Sequence, residues 1–392
     1  MMNNTLIKTA ILLIVLNSFS FSSVAGQQVD SQTKAKVGEM IPPGQAHRAI
    51  FQQFRMGQRN VKRILAEDNH IWIGSSAGLV KYTPEIDDYE FFNNRNGLIA
   101  NGVFAVARLP DGRLAVGTYG GGLAALDESK NNDWTLYNVP NGLGDPFVYD
   151  VLTSKSGDVW IATWTGVNRV IGGKLDDPEA WELYTVKSTG GGLPNDWVYG
   201  LGEGQNGIIW LATEGGLAKF DQGKWQNWNH ADGLGAKYEL VKESEVQGRD
   251  PADFSRHHAK QKQEQGLFGV TTAYNPNYIV SMAVDKQNRV WTGTWGAGLS
   301  TYDGNKWETL TEHDGLPSNH IFMLYLDDEV LWIGTSKGLV KMSLDNRQMM
   351  IYTSQHGLFA DSVFSMDIHT DGSLWIGSYG GVSHIMNFPE IN

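Results

Sequence analysis

Apolar positions along this chain come in runs of five or six residues separated by Gly, Asn, Asp and Ser, a spacing that predicts short strands joined by tight turns. The runs also repeat. One phrase reads Ile71-Trp72-Ile73-Gly74-Ser75, Leu114-Ala115-Val116-Gly117-Thr118, Val159-Trp160-Ile161-Ala162-Thr163 and Ile209-Trp210-Leu211-Ala212-Thr213. It returns as Val290-Trp291-Thr292-Gly293-Thr294, Leu331-Trp332-Ile333-Gly334-Thr335 and Leu374-Trp375-Ile376-Gly377-Ser378. The copies stand 43, 45, 50, 81, 41 and 43 residues apart at their Gly or Ala, and a period of this size marks a repeat architecture. The step of 81 contains no further copy, so it is one repeat plus an insertion.

Each period holds four strand-like runs, which in the sixth copy are residues 321–326, 330–335, 338–342 and 349–352. In the first run, apolar residues stand three apart, as in Val103 and Val106, Val148 and Val151, or Val363 and Met366. Strand side chains alternate, so this spacing predicts opposite faces and burial on both. Such burial is expected when each sheet packs between two others around a central axis. The Trp should fill the gap between neighbouring sheets, and the hydroxyl after Gly or Ala should satisfy buried backbone groups. The last copy stops after its third strand, residues 381–385, whereas residues 50–54 read as a lone fourth strand. Pairing the two closes a ring and removes free sheet edges. The predicted fold is therefore all-β: a seven-bladed β-propeller of four-stranded antiparallel blades over residues 50–386.

The insertion, residues 235–275, falls in a loop between blades. Asp250-Pro251 offers an N-cap followed by Pro, Asp253 adds an acid in the first turn and Gly266 ends the segment, which predicts a short polar helix over 251–265 and a lid on the ring. Upstream, Lys8, an apolar run over residues 10–16 and Ser23-Val24-Ala25-Gly26 read as a secretory signal peptide, residues 1–26. That apolar run of seven residues is too short to span a bilayer, which takes about 20. Residues 27–49 read as a flexible leader and 387–392 as a tail, so the expected product is a periplasmic or secreted protein with no membrane span.

Charge and composition narrow the partners. With 31 basic and 43 acidic residues the formal charge is −12, which argues against nucleic acid and anionic membranes. The absence of cysteine excludes a disulfide framework and a thiolate metal site. Fourteen Trp, fourteen Tyr and 46 Gly agree with aromatic-rich strands and tight turns.

The repeat resembles that of the two-component regulator propeller family. Residues that carry the likeness are Gly298-Leu299-Ser300-Thr301-Tyr302-Asp303, Trp307 and Asp314-Gly315-Leu316-Pro317-Ser318-Asn319, with weaker copies at Asn96-Gly97-Leu98, Asn141-Gly142-Leu143, Gly192-Leu193-Pro194 and Gly357-Leu358. The likeness runs over about residues 50 to 386 and concerns residues that hold the fold. It implies a ligand sensor of the kind that, in tandem, responds to oligosaccharides outside hybrid histidine kinases. This sequence departs from that pattern in showing one propeller, no spanning helix and no kinase. The sensor reading therefore expects a separate partner, a membrane sensor kinase or another periplasmic protein.

Candidate contacts follow from the repeat. The residue after the Ser/Thr column reads Ser76, Tyr119, Trp164, Glu214, Trp295, Ser336 and Tyr379, and two residues before each first strand stand Arg59, Asn101, Pro146, Asp196, Asn277, Asn319 and Asp361. Aromatic rings beside amides and carboxylates suit a saccharide, whose C–H faces stack while its hydroxyls need donors and acceptors. The candidate ligand contacts are thus Tyr119, Trp164, Glu214, Trp295 and Tyr379, with Arg59, Asn101, Asp196, Trp197, Asn277, Asn319 and Asp361. The plainer alternative is that the rings pack loops and the amides brace turns. Glu214 and His320 are candidate catalytic residues if the chain is a propeller lyase or hydrolase, and a protein-interaction scaffold is a third reading. His257-His258 on a polar helix point apart and read as solvated; no metal site and no cofactor is predicted.

Overall fold

Each of the seven phrases forms the second strand of an antiparallel sheet in the computed structural model of the protein, which describes residues 38–40, 49–243, 263 and 274–386. Five sheets have four strands each. A sixth joins two such units through the long strand Ala49–Ala66. Its second half pairs with Ile71–Ser75, whereas its first half pairs with residues 381–386 of the run Leu374–Met386, in the register Ile50 with Met386 to Arg55 with Gly381. That run bends at Gly380 (φ +91°), and its first half pairs with Val363–Ile368. The described strands thus group into seven units, numbered here from the one that begins at Val61. The expected pairing of residues 50–54 with 381–385 is present. Gly38–Met40 adds a short strand outside residues 49–51.

The inner strands are residues 61–66, Val103–Arg108, Val148–Thr153, Val198–Glu203, Asn275–Val284, Ile321–Asp327 and Val363–Ile368. Each packs on the next, and the seventh packs on the first. A steric detail explains the Gly column. A Cβ on Gly117 would lie 2.6 Å from Val148 Cγ1 of the next unit, and one on Gly377 would lie 2.6 Å from Val61 Cγ1, so the last unit meets the first as the others meet their neighbours. Trp72, Trp160, Trp291 and Trp375 are fully buried between units. Six hydroxyls of the Ser/Thr column donate to the carbonyl of a turn Gly, as Thr163 does to Gly166 at 2.9 Å, and the seventh, Ser378, donates to Ala360 at 3.1 Å.

One expectation is corrected. Val103 and Val106 do not face opposite sides. Val103 pairs with Thr118 but Ala105 pairs with Gly117 and Val106 with Val116, so a β-bulge at Phe104 adds one residue and returns Val106 to the face of Val103. Both pack in the same cluster with Trp72, while Ala105 packs on the other side. The same shift occurs after Val61, Val148, Val198, Ile279, Ile321 and Val363. The opposite face is instead occupied by the residue at i+2, which is buried at Ala105, Gly200, Met323 and Ser365.

The insertion is described only at its stems. Ala236 N donates to Ala297 O at 2.9 Å, Tyr274 Oη donates to Ala236 O at 2.7 Å, and a short helix spans Tyr238–Val241. Apart from residue 263, the expected helix over 251–265 lies outside the described residues, as do the pair His257-His258, the signal peptide, nearly all of the leader and the tail.

Candidate functional site

Three columns of side chains converge at one end of the axis. The first is the bulge residue of each inner strand: Lys62, Phe104, Tyr149, Tyr199, Val280, Phe322 and Phe364. The second is the residue just ahead of that strand's first β-branched side chain, represented by Phe147, Trp197, Tyr278 and His320. The third is the residue after the Ser/Thr column, which carries Tyr119, Trp164, Glu214, Trp295 and Tyr379.

These groups form a belt. Phe104 meets Tyr149 at 5.4 Å between ring centroids, Tyr149 meets Tyr199 at 4.8 Å, and Tyr199 meets Tyr278 at 4.7 Å. Tyr278 stacks on Trp295 at 5.8 Å, Trp295 meets Phe322 at 5.9 Å, and Phe322 stacks on Phe364 at 5.2 Å. Lys62 completes the circle, its Nζ 4.5 Å from the Phe364 centroid and 5.8 Å from that of Phe104. The bulge side chains keep part of their surface accessible while their β-branched neighbours are buried, as expected of groups around an axial opening.

The predicted aromatics divide into two kinds. Trp164 is held between Phe147 at 4.3 Å and Trp197 at 4.7 Å, both stacked, so its faces are in use and its edge is what a ligand can reach. Trp295 lies against Tyr278 and, edge-on, against His320 at 5.5 Å. Tyr119 and Tyr379 differ, with 46% and 50% of their surface exposed. They are the open platforms.

The Asn/Asp column serves a structural purpose. Asn101, Asp196, Asn277, Asn319 and Asp361 each accept, through Oδ1, a backbone N–H from the preceding turn, of Asn94, Val186, His230, Glu312 and Ser354 respectively, at 2.6 to 2.9 Å. Through these bonds they brace loops. Arg59 is exposed at the rim, and Ser336 is buried against Ser318, 2.8 Å away.

Glu214 is fully buried and its Oε2 accepts from Tyr199 Oη at 3.1 Å. Burial pushes its carboxyl up to about 8, so it is a neutral acid at pH 7. The same desolvation raises the Tyr149, Tyr199 and Tyr278 hydroxyls, and Lys62 is lowered to about 8. Glu214 and His320 belong to the same belt, joined through Tyr199, Tyr278 and Trp295. Among the described residues, no group of three or more His, Asp or Glu stands at metal-binding spacing.

The bulge column was missed at the sequence level. Its signal was present as the apolar pair three apart, which a regular strand cannot place on one face.

Residues 273–296 match the family model of the two component regulator propeller. The match covers the inner strand and the Trp-containing strand of the fifth unit, hence one repeat of that type. No curated protein matches the chain in sequence. Among solved structures, a virginiamycin B lyase from Staphylococcus aureus aligns with a TM-score of 0.59 and 11% identity, over 87% of this chain and all of that one. YCF48 bound to D1 peptide aligns with a TM-score of 0.56 and 12% identity, over 89% and 100% of the two chains. The WD40 β-propeller domain of Doa1 aligns at 0.54 and 11%, over 90% and 98%. At these identities the likeness is one of fold, and the fold is a β-propeller.

Proposed function

We propose that this chain is an exported, sensor-type propeller that takes an oligosaccharide or other small polar ligand into the aromatic mouth and works with a separate signalling or uptake partner. The observation that carries this reading is the belt itself: rings from successive units meet around the axis, with Tyr119 and Tyr379 half exposed above them. Packing alone does not call for exposed aromatic faces at the same repeat position in two units, whereas a pyranose ring stacks on such faces. The hydroxyl of Tyr199, held from behind by the buried neutral carboxyl of Glu214, adds a polar group to the wall.

The test is calorimetry of the full chain against a panel of neutral and acidic oligosaccharides. Tyr119→Ala, Tyr379→Ala and Trp164→Ala should each weaken binding several-fold or more, since an aromatic contact is worth about 0.5–1.5 kcal/mol beyond the area it buries. Affinity that ignores all three changes moves the site elsewhere. Ligand consumed during the titration selects the lyase or hydrolase reading with Glu214 as acid, and capture of a protein partner with no saccharide bound selects the scaffold reading.

A further inference from the structure

The aromatic belt has one gap, and the gap is polar. In the first unit the three columns read Lys62, Asn60 and Ser76, without a ring. Tyr379 flanks the gap on one side, its backbone paired with that of Asn60. On the other side Tyr119 stacks at 5.5 Å on Phe104, the ring next to Lys62. The two open platforms of the mouth therefore stand on either side of Lys62.

Two groups in the gap lack polar partners among the described residues. Among the described residues the Lys62 ammonium makes no hydrogen bond and no ion pair; its contacts are the faces of Phe364 and Phe104. The neighbouring Arg63 is already paired, with Asp150 at 2.5 Å. Among the described residues Asn60 Oδ1 is buried with no hydrogen-bond partner. An amide can rotate to exchange its oxygen and nitrogen, so that position offers a ligand either an acceptor or a donor. Burial holds Lys62 at about 8, and the group remains mostly protonated at neutral pH.

A lysine is a poor filler for this position. Phe occupies the equivalent place in three other units and packs without the cost of enclosing an ammonium. Cation–π contacts offset part of that cost, and an anion would supply the charge-assisted hydrogen bonds that the protein does not.

We propose that Lys62 and Asn60 anchor a single carboxylate of the ligand, held between Tyr119 and Tyr379. The proposal rests on the reading that the mouth binds a ligand, and it specifies the class: an acidic saccharide or similar carboxylate-bearing molecule. One ammonium beside one amide matches one negative charge, whereas phosphate sites are built from Arg forks or turns of backbone N–H groups.

The experiment uses matched pairs of uronate-containing oligosaccharides and their methyl esters, titrated into the full chain and its variants by calorimetry. Lys62→Met keeps the stem and removes the charge; Asn60→Asp keeps the shape and places a carboxylate beside Lys62. Each should weaken the acids about tenfold or more, as expected for a lost charge-assisted hydrogen bond, and leave the esters within about twofold. Acids that bind both variants as tightly as wild type, or a wild type that binds no acid of any pair, overturn the assignment. Acids bound through Tyr119 and Trp164 but indifferent to Lys62 leave the aromatic mouth standing and sink the anchor. Acids that need Lys62 but not the rings do the reverse.

Discussion

Residue by residue, the repeat separates side chains that hold the fold from those that do not. The Gly column is small because the next unit's inner strand lies against it, and the Ser/Thr column is polar because a buried turn carbonyl needs a donor. The Asn/Asp column at first suggests ligand contacts. The spacing of seven residues between Asn94 and Asn101, Glu312 and Asn319, and Ser354 and Asp361 instead fits one repeated brace. What distinguishes Glu214 is burial, which no sequence pattern encodes. Its carboxyl is raised from an ordinary 4.5 to about 8, so between those values the unfolded chain is ionised while the folded chain stays protonated. Stability then falls as pH rises through that window, by up to about 1.4 kcal/mol per unit, and levels off above it. Glu214→Gln should remove this slope. Urea midpoints of both proteins at pH 5 and pH 8 check it, and an unchanged difference between them contradicts the assignment.

The elements were legible where they follow hydrophobic period and turn residues, and illegible where backbone register decides. Second, third and fourth strands fall where the runs place them. The bulge that turns Phe104, Tyr149 and Tyr199 toward the axis is not tied to a residue type, since Lys62 and Val280 occupy the same place. Hence the ring column, and with it Lys62, emerged only from the strand pairing. The closing strand carries a pH prediction of its own. His384, stacked on Trp375 at 4.1 Å and with Asp371 and His369 as its charged neighbours, is lowered by burial from 6.5 to about 4. Its neutral form stabilises the fold above pH 6.5, and that contribution is lost as pH falls toward 4, on the order of 1 kcal/mol per unit. His384→Phe should melt with less acid sensitivity than wild type over pH 7 to 4.5 in circular dichroism. Parallel melting curves would refute the role of this histidine.

At the scale of the whole molecule, the chain's two ends share one sheet. Phe54 stacks on Trp375 at 5.6 Å, and Gln53 Nε2 donates to Gly357 O and Leu358 O at 3.1 and 3.2 Å, so the strand Ala49–Ala66 is bonded to sequence three hundred residues away. Removing residues 27–58 should expose two sheet edges and lower the melting temperature by about ten degrees or more. A truncated chain that melts like the intact one would mean that closure contributes little. Closure also holds Tyr379 in the seventh unit next to Asn60 and Lys62 in the first, and so completes the mouth. The most direct test of ligand binding there is a crystal structure of the full chain with the tightest saccharide from the panel. The account predicts the sugar at the axial mouth, against Tyr119 and Tyr379 with its acidic group toward Lys62. A ligand seated at the outer strands or at the opposite end of the axis would contradict it.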